Sequence, residues 1–168
     1  QPVRVPSLSL SSGTGLDKAI AYRNYLFQGS RFQNLKSIDR LNEQGIDALV
    51  IPSEPFTWMS SQYYSEHSTP CWLFDPALID IASQLVIVWS QSQQDSAAFP
   101  SRFGAVTRYG NSSLNGALKI AFRVSSVQEN NSFVSEAVFL DENSNIRFHI
   151  QDIESTFNPV FNSLGSHL

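Results

Sequence analysis

The sequence has almost no cysteine, few charged residues and no long apolar run. Its single cysteine among 168 residues, Cys71, excludes an internal disulfide framework and a cysteine-based zinc site. Charged residues make up 15%, the net charge is −4 and no basic run occurs, so no nucleic-acid partner is expected. No apolar run is long enough for a membrane span, and no charged-then-apolar leader opens the sequence. We therefore expect a cytoplasmic protein without a membrane partner, and one free thiol fits a reducing compartment.

Hydrophobic residues are plentiful, at 42%, and at this length they can form one domain with a sizeable core. The most apolar stretch predicts a helix over 76–92. Asp75 is a favourable N-cap, and Pro76 fits the first helical position, where its missing N–H costs nothing. Apolar side chains follow on nearly all faces, which indicates that protein surrounds this helix.

One carboxylate interrupts the apolar helix. It belongs to Asp80, and Gln84 follows four residues later, so the two side chains share a helix face. A carboxylate on a buried helix is costly unless it is paired or protonated. Asp80 is therefore the main candidate functional residue. The alternative is a purely structural carboxylate, bonded to Gln84 or to nearby backbone.

The domain boundaries are indicated by composition. Residues 1–15 are rich in Pro, Ser and Gly and predict a linker, whereas 157–168 predict a tail. Residues 16–156 remain as one domain, and they contain no internal repeat.

The other elements are predicted from periodicity and turn residues. A helix is expected over 16–27, and an irregular aromatic segment over 56–74. Alternating or β-rich stretches predict strands over 32–41, 46–51, 99–109, 118–124, 133–140 and 146–153. One long apolar helix and about six strands joined by short turns define an α+β domain. Its simplest packing is an antiparallel sheet wrapped around the buried helix, which is the hotdog fold.

Three stretches resemble the dehydratase domains of polyketide synthases and polyunsaturated fatty acid synthases. Residues 26–33 look like the family segment LFHGPxFQ, with Gln28 and Ser30 in place of its His and Pro. Residues 74–84 are similar to the family helix HPALLDAALQ, with Asp75 in place of its His. Residues 99–106 resemble the strand that follows this helix in the family.

The resemblance implies a double hotdog of which this chain is the C-terminal half. Such a domain dehydrates 3-hydroxyacyl groups carried on acyl carrier protein, with a His of the first half as base and an Asp of the second half as acid. Asp80 matches that Asp, and Gln84 matches the amide that positions it. The implied partners are the carrier-bound substrate and the N-terminal hotdog half or a second copy of this chain. Neither a cofactor nor a metal is implied.

The histidine of the family is missing from this sequence. Its motif, HxxxGxxxxP, occurs nowhere in the 168 residues. His67 precedes Asp80 by thirteen residues, which is similar to the spacing in single-hotdog dehydratases, where the pair forms across a homodimer. One hypothesis is therefore a symmetric dimer in which His67 of one copy faces Asp80 of the other. The alternative is that His67 is a loop residue without a catalytic role.

Three functions remain open from the sequence. The first is the Asp-bearing half of a 3-hydroxyacyl-carrier-protein dehydratase. The second is a catalytically inactive structural or docking module of a synthase. The third is part of a related product-template-type cyclase. The missing His motif favours the inactive module unless residues upstream of Gln1 supply that histidine.

Overall fold

In the computed structural model, a long helix packs against a seven-stranded sheet. The structure describes residues 6–58, 71–110, 114, 116–128 and 131–160, and the strands are counted within them. The elements in chain order are β1 (Thr14–Leu16), α1 (Lys18–Asn24), β2 (Leu35–Asn42), β3 (Gly45–Val50), α2 (Pro76–Gln94), β4 (Ala98–Arg108), β5 (Leu118–Gln128), β6 (Ser132–Leu140) and β7 (Ile146–Phe157). Short 3₁₀ helices lie at Ser30–Phe32 and Pro55–Thr57.

The sheet is antiparallel throughout, and its strand order is β1-β2-β3-β5-β6-β7-β4. Strand β3 pairs with β5, whereas β4, which directly follows the long helix, lies at the far edge beside β7. The predicted α+β architecture, an antiparallel sheet around one long buried helix, is confirmed. The two edges of the described sheet are the short β1 and the eleven-residue β4.

Helix α2 begins where the sequence predicts. The Asp75 carboxylate accepts the N–H of Ala77 at 2.8 Å, and it also accepts the hydroxyl and the N–H of Ser53 at 2.7 and 2.6 Å. These bonds satisfy an orphan donor of the first turn and tie the start of the helix to the segment that follows β3. The helix ends at Gln94, and the C-cap residue Asp95 adopts the left-handed conformation with φ of 49°.

The core lies between α2 and the inner face of the sheet. Eleven of the nineteen residues of α2 are buried, on several faces of the helix. Trp89 packs against Phe133 and donates its indole N–H to the backbone oxygen of Asn42. The largest fully buried side chains include Trp89, Phe122, Phe133, Phe139, Phe148 and Leu85. No helix in the described part of the chain is long and apolar enough to span a membrane.

Several predicted elements have different bounds. The helix expected over 16–27 is the shorter α1, because Asp17 caps it and Leu16 belongs to β1, a strand that was not predicted. Strands β5 and β7 extend beyond their predicted ends. Within the predicted linker 1–15, Leu10 is buried and its N–H donates to Asp47 at 2.9 Å. The domain boundaries themselves stay predictions, and residues 59–70 of the aromatic segment lie outside the described residues.

Candidate active site

Asp80 and Gln84 meet on the same face of α2. The Gln84 Nε2 atom donates to Asp80 Oδ2 at 2.7 Å, as the four-residue spacing predicts. Gln84 is fully buried, whereas Asp80 is half-buried, because its face of the helix borders a cavity. The sequence therefore predicts the pair correctly, although Asp80 is less enclosed than an all-apolar helix suggests.

Helix α1 and the segment between α1 and β2 contribute hydrogen-bond partners to this pair. The backbone oxygen of Phe32 accepts the second Nε2 proton of Gln84 at 2.7 Å. The Tyr22 hydroxyl donates to Gln84 Oε1 at 3.0 Å and accepts the N–H of Leu35 at 3.2 Å. Gln84 thus uses its donors and its acceptor at once, as a buried amide must. We refer to Tyr22, Phe32, Asp80 and Gln84 as the Asp80 network.

A cavity of about 440 Å³ opens beside Asp80. Its walls are mostly apolar and come from the 27–32 segment, from α2 and from the start of edge strand β4. The lining residues are Phe27, Gln28, Gly29, Phe32, Asp80, Ser83, Ile87, Phe99 and Pro100. Small-molecule sites usually have this composition, with a few polar groups in a mainly apolar cavity.

Burial changes the acidity of two groups of the Asp80 network. It raises the pKa of Asp80 above the ordinary carboxyl value of 3.8, and the hydrogen bond from Gln84 opposes part of this rise. Burial also raises the pKa of Tyr22 to about 12; the N–H of Leu35 opposes this, and the nearby Asp80 adds to it. Tyr22 therefore keeps its proton, and Asp80 is easier to protonate than an exposed aspartate. A carboxyl group of raised pKa at a cavity is suited to donate a proton.

Asp80→Asn is expected to increase the free energy of unfolding at about pH 7. The folded pKa of Asp80 exceeds the unfolded one, so the native state binds more protons and stability falls as pH rises from the ordinary carboxyl pKa through the raised value. Asn removes that cost while keeping an acceptor for Gln84. Urea unfolding measures the effect, and the gain should vanish near pH 3, where Asp80 is neutral in both states. A variant less stable than wild type at neutral pH would contradict the prediction.

The other predicted site residue is not placed. His67 lies within residues 59–70, outside the described residues, so its pairing with Asp80 across a dimer stays a prediction. Tyr22 and the Phe32 carbonyl were not predicted as members of the site. For Phe32 the sequence signal is the resemblance of residues 26–33 to a dehydratase segment, whereas Tyr22 lies four residues before that segment. Across the described ranges, no three His, Cys, Asp or Glu side chains are placed to hold a metal ion.

The comparisons with known proteins agree with this geometry. An antiparallel sheet around one long helix, with an aspartate of that helix facing a cavity, defines a domain of the hotdog class. A family model described as polyketide synthase dehydratase N-terminal domain matches residues 2–157, and the chain therefore belongs to the polyketide synthase dehydratase family. The description names an N-terminal domain, so the predicted position in the C-terminal half is not confirmed. No curated protein sequence gives a significant match.

Solved structures support the fold. The dehydratase domain of RzxB from Pseudomonas fluorescens has a TM-score of 0.67 at 17% identity, over 94% of this chain and 54% of that one. The dehydratase domain of PpsC from Mycobacterium tuberculosis, in complex with C12:1-CoA, has a TM-score of 0.59 at 19% identity. The match covers 92% of this chain and 55% of that one. The dehydratase domain from the CurJ module of curacin polyketide synthase has a TM-score of 0.62 at 20% identity. The match covers 87% of this chain and 50% of that one. The chain thus spans about half the length of these domains.

Proposed function

We propose that this chain is the Asp-bearing half of a 3-hydroxyacyl-carrier-protein dehydratase in a polyketide or fatty acid synthase, with Asp80 as the acid. The observation that carries the proposal is the Asp80–Gln84 pair at the apolar cavity, with a carboxyl pKa raised by burial. Apolar walls suit the acyl chain of a thioester, and a protonated carboxyl suits a departing hydroxyl group.

The reaction removes water from the substrate. A base takes the proton at the α-carbon, the C–O bond at the β-carbon breaks, and the Asp80 proton joins the leaving hydroxyl to form water. The electron pair from the α-carbon forms the double bond of the enoyl thioester. A neutral histidine is the natural base. The resemblance to dehydratase domains implies that the other hotdog half supplies this histidine.

The position of the cavity suits a base from another hotdog. Phe99 and Pro100, which line the cavity, lie on edge strand β4, and in the described sheet β4 pairs with β7 alone. A second hotdog that extended the sheet along this edge would bring its own residues towards Asp80. That second hotdog is either the N-terminal half or another copy of this chain.

Two observations test the proposal directly. The coding sequence upstream of Gln1 is expected to encode an HxxxGxxxxP block, and the polypeptide that contains both halves is expected to convert a 3-hydroxyacyl pantetheine thioester to the enoyl thioester. Mass spectrometry detects the loss of water. If the polypeptide binds the acyl carrier protein but forms no enoyl product, the proposal fails and the structural or docking module is favoured. A ring-closed product would instead favour the cyclase.

The chain alone is expected to self-associate. Strand β4 is an eleven-residue edge strand of the described sheet, and an edge strand can serve as a template for a strand of another chain. Pro100 interrupts this edge only near its start. Light scattering at micromolar concentration measures the state in solution. A strictly monomeric species would contradict the prediction and would weaken the proposed use of the β4 edge.

A further inference from the structure

Tyr22 connects three separate parts of the chain around one amide. Its side chain leaves α1, and its hydroxyl lies between the Leu35 N–H at the start of β2 and Gln84 Oε1 on α2. The residues it joins are thirteen and 62 positions away. The phenol ring packs against the hydrophobic core, which fixes the position of the hydroxyl.

The direction of each hydrogen bond at this hydroxyl is determined by its partners. A backbone N–H can only donate, so the Tyr22 oxygen accepts from Leu35 and its own proton points to Gln84 Oε1. The Oε1 atom of Gln84 is thereby held on the Tyr22 side. Its Nε2 atom is left facing two acceptors, the Phe32 oxygen and Asp80 Oδ2.

A reversed amide would change what Asp80 can do. With Oε1 turned towards Asp80, Gln84 would accept the carboxyl proton and hold it inside the network. In the observed orientation Gln84 donates to Oδ2, so a proton on Asp80 resides on Oδ1 and remains available to the cavity. The pKa of Tyr22, raised to about 12 chiefly by burial, keeps its hydroxyl a donor wherever Asp80 titrates.

We infer that Tyr22 is a positioning residue for Asp80: its hydroxyl, together with the Phe32 oxygen, holds the Gln84 amide as a donor to Oδ2 and so keeps the carboxyl proton directed at the cavity. The value of this arrangement for catalysis rests on the proposed function. The arrangement itself is open to measurement without any activity.

The test is the titration of Asp80 in the full 168-residue chain, followed by the ¹³Cγ signal of labelled aspartate. Tyr22→Phe removes the donor that holds Oε1 and leaves the Phe32 oxygen as the remaining restraint on the Gln84 amide. The turned amide is therefore more populated than in wild type, and in that orientation the ionised carboxylate lacks a donor and the neutral acid gains an acceptor. The pKa of Asp80 is therefore expected to move to higher pH than in wild type. Tyr25→Phe, the same change at a nearby Tyr outside the network, should leave it unchanged.

The outcomes separate positioning from a merely structural role. Tyr22→Phe also leaves the Leu35 N–H without its acceptor, so a structural role predicts lower stability with an unmoved Asp80 titration, and that result overturns the inference. If the Tyr22→Phe variant does not fold, the inference is tested by a measurement on the wild-type chain. The side-chain NH₂ signals of Gln84 should then follow the Asp80 titration, and signals insensitive to it overturn the inference.

This measurement also separates the inference from the proposed function. An Asp80 titration that moves in Tyr22→Phe, together with dehydration that survives Asp80→Asn, would retain the positioning and refute the acid role. An unmoved titration, together with dehydration lost in Asp80→Asn, would refute the positioning and retain the acid role.

Discussion

Asp80→Asn is expected to lower the rate of enoyl thioester formation by about 10²- to 10⁴-fold in the polypeptide that carries both hotdog halves, which is the usual contribution of one general acid. Asn has the same shape and can still accept the hydrogen bond from Gln84, but it has no proton to give to the leaving hydroxyl. The rate is measured at saturating thioester substrate, so that a loss in kcat is separated from a change in KM.

The structure provides a matched control for this substitution. Asp17→Asn is the same chemical change at the N-cap of α1, where Asn caps about as well as Asp, and Asp17 is not part of the cavity lining. It should leave the rate within about twofold of wild type. Because Asp80→Asn is also expected to be at least as stable as wild type at neutral pH, a loss of activity cannot be assigned to unfolding. Dehydration that survives Asp80→Asn would end the acid role.

Leu85→Ala is expected to lower the free energy of unfolding by about 2–5 kcal/mol, the range found for buried leucines. Leu85 lies in the middle of α2 with none of its surface exposed, and it belongs to the core between the helix and the sheet. Removing its branched end leaves a cavity that the surrounding strands can fill only in part, because their backbones are fixed by ladder hydrogen bonds.

The control for the core is Leu73→Ala. Leu73 precedes the N-cap of α2 and is 73% exposed, so the same deletion there should change the free energy of unfolding by less than about 0.5 kcal/mol. Urea unfolding of both variants measures the difference. Equal effects at the two positions would show that α2 is not the centre of the core.

The local elements follow from the sequence because their causes are local. Asp75 and Pro76 set the start of α2 through capping and a fixed φ angle, and the apolar run that follows makes the helix one that must be buried. The four-residue spacing alone brings Asp80 and Gln84 within hydrogen-bonding distance. Strands β2 to β7 overlap their predicted ranges, because alternation of apolar and polar residues reports which face of a sheet is buried.

The sequence therefore determined the helix, the carboxylate–amide pair on it and the segments that form the sheet. Only the tertiary structure decided that β3 pairs with β5, that β4 lies at the edge beside the cavity, and that Tyr22 reaches Gln84 across 62 residues. The physical reason is that capping and periodicity act within a few residues, whereas strand order and the network around a buried amide depend on contacts between distant segments, which form only when the whole core packs.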